Sequence, residues 1–511
     1  MLKALKEFFS QKVLPVFRKR SGKLFCFLSR PSVLSVILLI AGALFKMAYA
    51  VRVPYNISDH DLGAIRIERP DTNHIGYMQY LERYRKLPDL SPMENWGMLH
   101  PPLFHIIGAA FIHANNAGRS IPKIQASMEQ LQLLNMFFAC LISFYCFAFI
   151  KAAGVKENLL PAAAAFFGFF PSFFHIGAAL NNDCLMTLFV VMGFYYAACW
   201  NKNKTAANML KITVCFILGM LAKSSACLAV PAVFCVFVCA FAAAARKNKK
   251  TEQCVNNCSA GNAESTGGIK GTDGNLSGTG GNIEQSVKEN HAGARRIAVH
   301  AALFLALFLS AGFSWLIREH IKFGMPFNYM NDASVYAWQD VSTCPWHKRL
   351  FVPAWQQLAV IPFNDGRPDL SCNIWGELLL TMNFDEFKLY SESIVFSAGA
   401  VLMLWNSIAL AISGIYGMCR MFLMKSIELR RKAFAALSFF LPFAAFIYMC
   451  FKYQHRACMN FRLISYLPLP AAAGTALYLS RSITAGLFEK LIKCFCYSYA
   501  ALSAVLFAVW G

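Results

Sequence analysis

Long apolar runs alternate with short polar segments along most of the 511-residue chain. A run of about 18 or more apolar residues is long enough to cross a bilayer, where a helix bonds its own backbone groups. The pattern therefore predicts an all-α polytopic membrane protein with about eleven transmembrane helices. The predicted spans are 33–51, 131–150, 159–179, 184–200, 212–222, 226–245, 297–317, 393–418, 433–451, 463–480 and 491–510.

The longest polar interval of the first half, 55–103, follows the first span and belongs to a predicted external loop, 52–130. Ile75, Met78 and Leu81 recur at helical spacing in it, which predicts an amphipathic helix lying in the membrane interface and ending before Pro88. A second helix is expected to begin at Pro101. The apolar face of this second helix is Leu103, Ile106, Ile107 and Ala110.

The remaining polar segments divide the chain. Residues 1–32 form a basic N-terminus that is expected to stay cytoplasmic, followed by a transmembrane core, 33–245. Residues 246–296 are predicted to be a disordered cytoplasmic loop, because their Gly, Asn, Ser and Thr side chains cannot bury a core. A second transmembrane part, 297–511, contains an external loop, 318–392.

Composition agrees with a membrane protein, since the chain is 57% hydrophobic and only 15% charged, whereas soluble domains average about 25% charged residues. The net charge of +21 does not indicate a nucleic-acid partner, because Lys and Arg cluster at the ends of the apolar runs. There they mark cytoplasmic loops, which puts the N-terminus inside and the C-terminus outside. The sequence Ala48-Tyr49-Ala50 could alternatively end a cleaved signal, but the long basic segment before it favours a retained span.

Most of the 18 cysteines lie within apolar runs and are expected to be buried hydrophobic side chains without metal-type spacing. Cys344 and Cys372 instead lie in the predicted external loop. In an oxidising compartment these two could form a disulfide.

Two acids just beyond the first span, Asp59 and Asp61, are the first candidates for chemistry. A carboxylate there could remove a proton from an acceptor hydroxyl, and two such groups could also hold a divalent cation. The alternative is that they are ordinary acids of a loop that faces water.

Further candidates share the predicted outer side. His100 precedes two prolines and could bind a phosphate or orient the acidic loop, although an ordinary interfacial histidine is the simpler interpretation. Asp183 and Lys223 lie at the outer ends of helices, where ionisable groups are costly. Arg456 and Arg462 could each bind a phosphate through a planar guanidinium, or could anchor to lipid headgroups.

Acids, cations and a histidine on one side suggest a site for a phosphate-bearing lipid and a hydroxyl acceptor. Glycosyl transfer from a polyprenyl-phosphate sugar needs this set, because the cations stabilise the leaving phosphate while an acid activates the acceptor. The acceptor hydroxyl could belong to a lipid, a glycan or a protein. Membrane lipids are the other expected partners.

The order of these motifs resembles the GT-C superfamily, in particular the branch of dolichyl-phosphate-mannose protein mannosyltransferases and aminoarabinose transferases. The motifs are His60-Asp61-Leu62-Gly63, Asn73-His74-Ile75-Gly76-Tyr77, His100-Pro101-Pro102-Leu103, Leu180-Asn181-Asn182-Asp183, Gly219-Met220-Leu221-Ala222-Lys223, Phe323-Gly324-Met325-Pro326-Phe327 and Asn460-Phe461-Arg462, with Pro468 and Pro470 after them. The likeness covers most of the chain except 251–294.

The resemblance implies a bacterial-type transferase of a hexose or pentose, in the cytoplasmic membrane with its site facing outward. By analogy, Asp61 would be the catalytic base with Asp59 as the other candidate, and Lys223 and Arg462 would bind the lipid phosphate. Asp183, His74, His100 and Arg456 would complete the substrate-binding set. The chain departs from better-known members in lacking an Asp-Glu pair in the first loop, in its long cytoplasmic insertion, and in its small or missing C-terminal external domain.

Two other classes of function compete with the transferase. A transporter or flippase of lipid-linked saccharides would place charged residues deep within its spans, but the middles of these spans carry almost no ionisable groups. A non-catalytic scaffold would not gather polar residues on one external face. The sequence therefore favours the enzyme.

Overall fold

A computed structural model of the chain describes residues 30–56, 73–117, 124–264, 277–329, 340–351, 372–384 and 394–510. Within these ranges the secondary structure is helical, and the only β-type pairing is an isolated antiparallel bridge between Asp340 and His455. The predicted class, an all-α polytopic membrane protein, is confirmed. Asp59 and Asp61 lie outside the described residues.

The α-helices of the described residues are numbered in chain order. They are α1 (Pro31–Arg52), α2 (His74–Tyr84), α3 (Leu103–Asn116), α4 (Ile124–Ala152), α5 (Leu160–Gly168), α6 (Pro171–Ala178), α7 (Asp183–Lys202), α8 (Ala206–Ala222), α9 (Val230–Glu264), α10 (Ser277–Leu307), α11 (Ser314–Phe323), α12 (Trp346–Phe351), α13 (Ile374–Phe384), α14 (Ile394–Leu423), α15 (Leu429–Lys452), α16 (Pro468–Arg481) and α17 (Gly486–Trp510). Short 3-10 helices cover Trp96–Leu99, Glu157–Leu159, Ser224–Ala229, Arg456–Met459 and Phe461–Ile464, and a π-helical turn covers Phe308–Gly312.

Every predicted span falls on an apolar helical segment. Across the described ranges, nine helical segments are long and apolar enough to cross a membrane, and a tenth results if Arg456–Ile464 and α16, which meet at 49°, are one broken span. Helix α8 is apolar but has only 17 residues. The chain is thus a multi-pass membrane protein, and a total of eleven requires both the broken span and α8.

The third predicted span, 159–179, is broken between α5 and α6. Pro171 begins α6 and has no backbone N–H, and a proline disfavours helical geometry in the residue before it. Because of the break, the Gly168 carbonyl is free to accept a hydrogen bond from the buried ammonium of Lys46. This ammonium also donates to the Ser143 hydroxyl oxygen at 3.2 Å. Helix α1 passes so closely here that a Cβ on Gly42 would lie 2.9 Å from the Gly168 Cα.

Two buried amides of α4 bind the end of α6. The side-chain nitrogen of Asn135 donates to the carbonyls of Ile176 and Ala179, at 3.0 and 2.7 Å. That of Gln132 donates to the Ala178 carbonyl at 3.3 Å. The last carbonyls of a helix have no intrahelical partner, so these amides let α6 end inside the protein.

Residues predicted to share a side of the membrane are in contact. On the predicted cytoplasmic side, Arg430 donates to the Asn201 side-chain oxygen at 3.0 Å and Arg431 donates to the Ala153 carbonyl at 2.8 Å. On the predicted outer side, Lys223 contacts Asp183. The alternation of the spans agrees with these contacts, while the choice of which end faces the cytosol rests on the basic residues.

The two helices expected in the first external loop are present. Helix α2 begins after Asn73, whose side-chain oxygen accepts a hydrogen bond from the Gly76 N–H at 2.7 Å, and it ends at Tyr84, four residues before Pro88. Helix α3 begins two residues later than predicted. Ile106 and Ala110 of its apolar face are exposed, as expected for side chains facing lipid.

The prediction of a disordered loop at 246–296 is wrong for its described residues. Helix α9 continues to Glu264 and α10 begins at Ser277, and the side chains of Glu252 and His291 meet at 2.9 Å. Disorder was expected because the side chains of this segment cannot bury a core of their own. The segment instead extends two spans, and the two helices pair with each other.

Two further contacts connect distant parts of the chain. The Thr187 and Ser465 hydroxyls lie 2.6 Å apart, so the predicted transmembrane parts 33–245 and 297–511 pack on each other. The disulfide considered for the second external loop is present between Cys344 and Cys372, with Cα atoms 6.3 Å apart.

Candidate functional site

A buried carboxylate lies at the centre of the candidate site. The Asp183 side chain is 2% exposed, Lys223 contacts one of its oxygens, and Arg462 Nε lies 3.9 Å from the other. We call these three residues the Asp183 cluster. The sequence predicted a role for each of them, and the structure brings them together from three separate segments.

The ends of α7 and α8 position two members of the cluster. Asp183 is the first residue of α7, where the helix dipole favours a negative charge, and its N–H donates to the Asn181 side-chain oxygen at 3.1 Å. Lys223 follows the last residue of α8 in an extended conformation. The Asn182 side chain donates to the Ala222 carbonyl at 2.7 Å and so ties the two helix ends together.

The third member, Arg462, lies in the 3-10 helix Phe461–Ile464. Its N–H donates to the Asn460 side-chain oxygen at 2.9 Å, and the Phe461 N–H donates to the Thr381 hydroxyl at 2.9 Å. These bonds fix the turn before the broken span continues into α16. Arg462 is 19% exposed and Lys223 is 14% exposed, so both cations remain partly accessible to a ligand.

His100 lies beside the cluster. Burial lowers the pKa of His100 well below its usual value, and the positive charges of Lys223 and Arg462 add to the effect. His100 is therefore neutral at neutral pH, and can donate or accept a hydrogen bond without carrying charge.

His100 belongs to a stack of rings that sequence reasoning recognised only in part. The His74 ring stacks on His100 at 4.9 Å between centroids, and His74 Nδ1 lies 2.8 Å from His105 Nε2. Tyr77 stacks on His105 at 4.2 Å. His105 was not among the residues predicted from the sequence; the signal for it was a polar residue on the buried face of α3.

Helix α11, which begins within the predicted span 297–317 and continues into the second external region, supports this first loop. The Trp315 indole N–H donates to the Leu99 carbonyl at 3.4 Å, and Arg318 donates to the Pro88 carbonyl at 2.6 Å. Glu319, which was also not predicted from the sequence, is 1% exposed and contacts Arg318. Burial raises the pKa of Glu319.

The other predicted site residues lie as follows. His74 is buried and contributes to the ring stack rather than to the ion contacts of Asp183. Arg456 is partly exposed in the 3-10 helix Arg456–Met459, which directly precedes the 3-10 helix that contains Arg462. Because Asp59 and Asp61 are outside the described residues, their roles as base or cation ligands stay predictions. No cluster of three or more metal-ligating side chains occurs in the described ranges.

The charges of the cluster favour an anionic ligand. Two cations, Lys223 and Arg462, face one carboxylate, and the neighbouring His100 is neutral, so one positive charge is in excess. A phosphate could neutralise this excess positive charge by accepting charge-assisted hydrogen bonds from both cations. Asp183 would keep them oriented when the ligand leaves.

Comparison with protein-family models and with curated proteins finds no match to this chain. The resemblance to the GT-C branch therefore depends on the motifs themselves. Three of them, 180–183, 219–223 and 460–462, supply the Asp183 cluster, and the motif 100–103 supplies the neighbouring His100.

Proposed function

We propose that this protein is a membrane glycosyltransferase that moves a sugar from a polyprenyl-phosphate donor to an acceptor hydroxyl on the extracytoplasmic face. The observation that supports the proposal is the Asp183 cluster, in which two partly accessible cations face a single carboxylate beside the neutral His100. Asp183 and Lys223 lie at the ends of α7 and α8, and the ends of spans are where lipid headgroups are expected.

In the proposed reaction, the acceptor oxygen attacks the anomeric carbon of the sugar while the bond from that carbon to the phosphate oxygen breaks. The polyprenyl phosphate leaves with the bonding electrons, and Lys223 and Arg462 stabilise the charge that develops on it. A first-loop acid, Asp61 or else Asp59, takes the acceptor proton. Attack opposite the leaving group inverts the anomeric configuration.

A transfer assay tests the proposal. The purified full-length protein is incubated with a panel of polyprenyl-phosphate sugars and with lipid, glycan and peptide acceptors, and released polyprenyl phosphate is measured. We expect turnover with one donor class, and a decrease of about a hundredfold or more for Asp61→Asn, the scale of a lost general base. Circular dichroism shows whether the variant is folded. Unchanged turnover would remove Asp61 from its role, and no turnover with any donor would contradict the proposal.

A transporter of lipid-linked saccharides is the second candidate, because one specific observation favours it. Lys46 is fully buried within the first span and contacts the Gly168 carbonyl and the Ser143 hydroxyl, and charged groups inside spans often mark transport pathways. Its test uses proteoliposomes containing a fluorescent lipid-linked saccharide. Movement between leaflets without transfer, lost in Lys46→Met, would favour transport over the transferase.

A further inference from the structure

A second site lies at the opposite end of the molecule from the Asp183 cluster. A cavity of about 100 Å³ opens between α4, α7, α9, α15 and α16, and apolar side chains form its walls, among them Phe149, Val236, Phe434 and Leu477. Helix α7 runs from Asp183 to Lys202, and the first of its residues to line the cavity is Ala197, so about 20 Å of helix separates the cavity from the cluster.

The mouth of this cavity is positively charged. Lys202, Arg430 and Arg431 line it, and Lys202 is exposed. Glu428 contacts Arg430 and lies 3.9 Å from Arg431 Nε. Three cations and one carboxylate leave two positive charges in excess.

Existing contacts hold both guanidinium groups at the mouth. Arg430 Nη1 donates to the Asn201 side-chain oxygen at 3.0 Å, and Arg431 Nη1 donates to the Ala153 carbonyl at 2.8 Å. Each guanidinium has five N–H donors, so donors remain for a ligand. These side chains are therefore already ordered before a ligand binds, which lowers the entropic cost of binding.

We propose that this cavity binds an anionic phospholipid of the cytoplasmic leaflet, with part of an acyl chain against the apolar walls and the phosphate at Arg430 and Arg431. The cations lie where the spans end, which is the depth of the headgroups on the predicted cytoplasmic side. Basic pockets between transmembrane helices on this side bind anionic headgroups. A small soluble anion would leave the apolar walls unfilled, so both halves of the cavity fit a lipid.

Lipid binding to the purified full-length protein tests this proposal by native mass spectrometry, with phosphatidylglycerol and phosphatidylcholine titrated in parallel. We expect phosphatidylglycerol to bind the wild type more tightly than phosphatidylcholine. The variant Arg430→Gln should weaken phosphatidylglycerol binding about tenfold, the effect of one charge-assisted hydrogen bond. Ala473→Leu, which fills the cavity, should weaken both lipids.

Two variants keep the test independent of folding defects. Glu428→Gln removes the competing carboxylate and should tighten phosphatidylglycerol binding. Lys425→Gln removes an exposed cation outside the cavity and should leave binding unchanged. Equal binding of the two lipids by the wild type, or equal effects of Arg430→Gln and Lys425→Gln, would overturn the proposal. Displacement of the lipid by glycerol phosphate at equal concentration would overturn the assignment of a lipid as the ligand.

Discussion

The ammonium of Lys223 contacts the carboxylate of Asp183 across 40 positions of the chain, with each residue at the end of a different helix. Asp183 is 2% exposed, and Arg462 approaches its second oxygen. One carboxylate thus holds two cations that come from distant segments. The arrangement both stabilises the fold and keeps two positive charges ready for an anion.

Removing that carboxylate should destabilise the protein. Breaking a buried ion pair costs about 3–5 kcal/mol, because the partner charge stays buried without compensation. Lys223 and Arg462 are partly exposed, so we expect the lower end, a loss of about 3 kcal/mol in the free energy of unfolding for Asp183→Asn. Thermal unfolding of the purified protein measures the effect as a lower Tm. The control is Asp89→Asn, which removes a surface carboxylate that contacts Lys322. This control variant should have the Tm of the wild type. Equal Tm values for the two variants would show that the Asp183 pair contributes nothing to stability.

The packing of the first external loop should depend on pH. Burial lowers the pKa of His100 and of His105 well below the usual value, so the unfolded chain binds protons that the folded loop excludes. Their contribution to stability is therefore complete above the unfolded pKa of about 6.5 and is lost as the pH falls below it. Hydrogen exchange of residues 73–116, corrected for intrinsic rates, should show less protection at pH 5.5 than at pH 7.5.

The matched variant for this experiment is His105→Phe, which keeps a ring against Tyr77 but cannot titrate. It should narrow the difference in protection between the two pH values. If the wild-type loop is equally protected at both, the histidines do not couple loop packing to pH.

The close crossing of α1 and α5 should tolerate no side chain. In Gly42→Ala the new Cβ would lie 2.9 Å from the Gly168 Cα, against backbone that cannot rotate away. Overpacking typically costs about 1–3 kcal/mol, which exceeds the gain of about 0.5–1 kcal/mol from replacing a helical glycine by alanine. We therefore expect a lower Tm than wild type.

Gly414→Ala is the control for that substitution. It also lies within a membrane helix, but its Cβ would make an ordinary contact with Ala471 at 3.8 Å. This variant should be neutral or slightly stabilising. Unfolding at equal temperatures for the Gly42 and Gly414 variants would mean that α1 and α5 can move apart at little cost.

The sequence predicted the positions of the helices more accurately than the contacts between them. Apolar runs set the spans because a bilayer allows few other structures, and the helical spacing around Met78 predicted α2. Asp183, Lys223 and Arg462 were each candidate site residues from the sequence, but the contact of Asp183 with Lys223 depends on how α7 and α8 pack. Local spacing carries no information on such long-range contacts. His105 was missed because it lies among apolar residues of α3, and the helical backbone of 277–294 was missed because composition alone ignores the neighbouring spans.

The most direct test of the central claim is the binding of sugar-free polyprenyl phosphate to the full-length protein, measured by microscale thermophoresis. The Asp183 cluster should hold the phosphate through Lys223 and Arg462, so Arg462→Gln should raise the Kd about tenfold, the effect of one lost hydrogen bond between charged groups. Lys452→Gln, which removes an exposed cation at the end of α15, should change the Kd far less. The same Kd for wild type and Arg462→Gln, or equal increases in both variants, would contradict a phosphate site at this cluster.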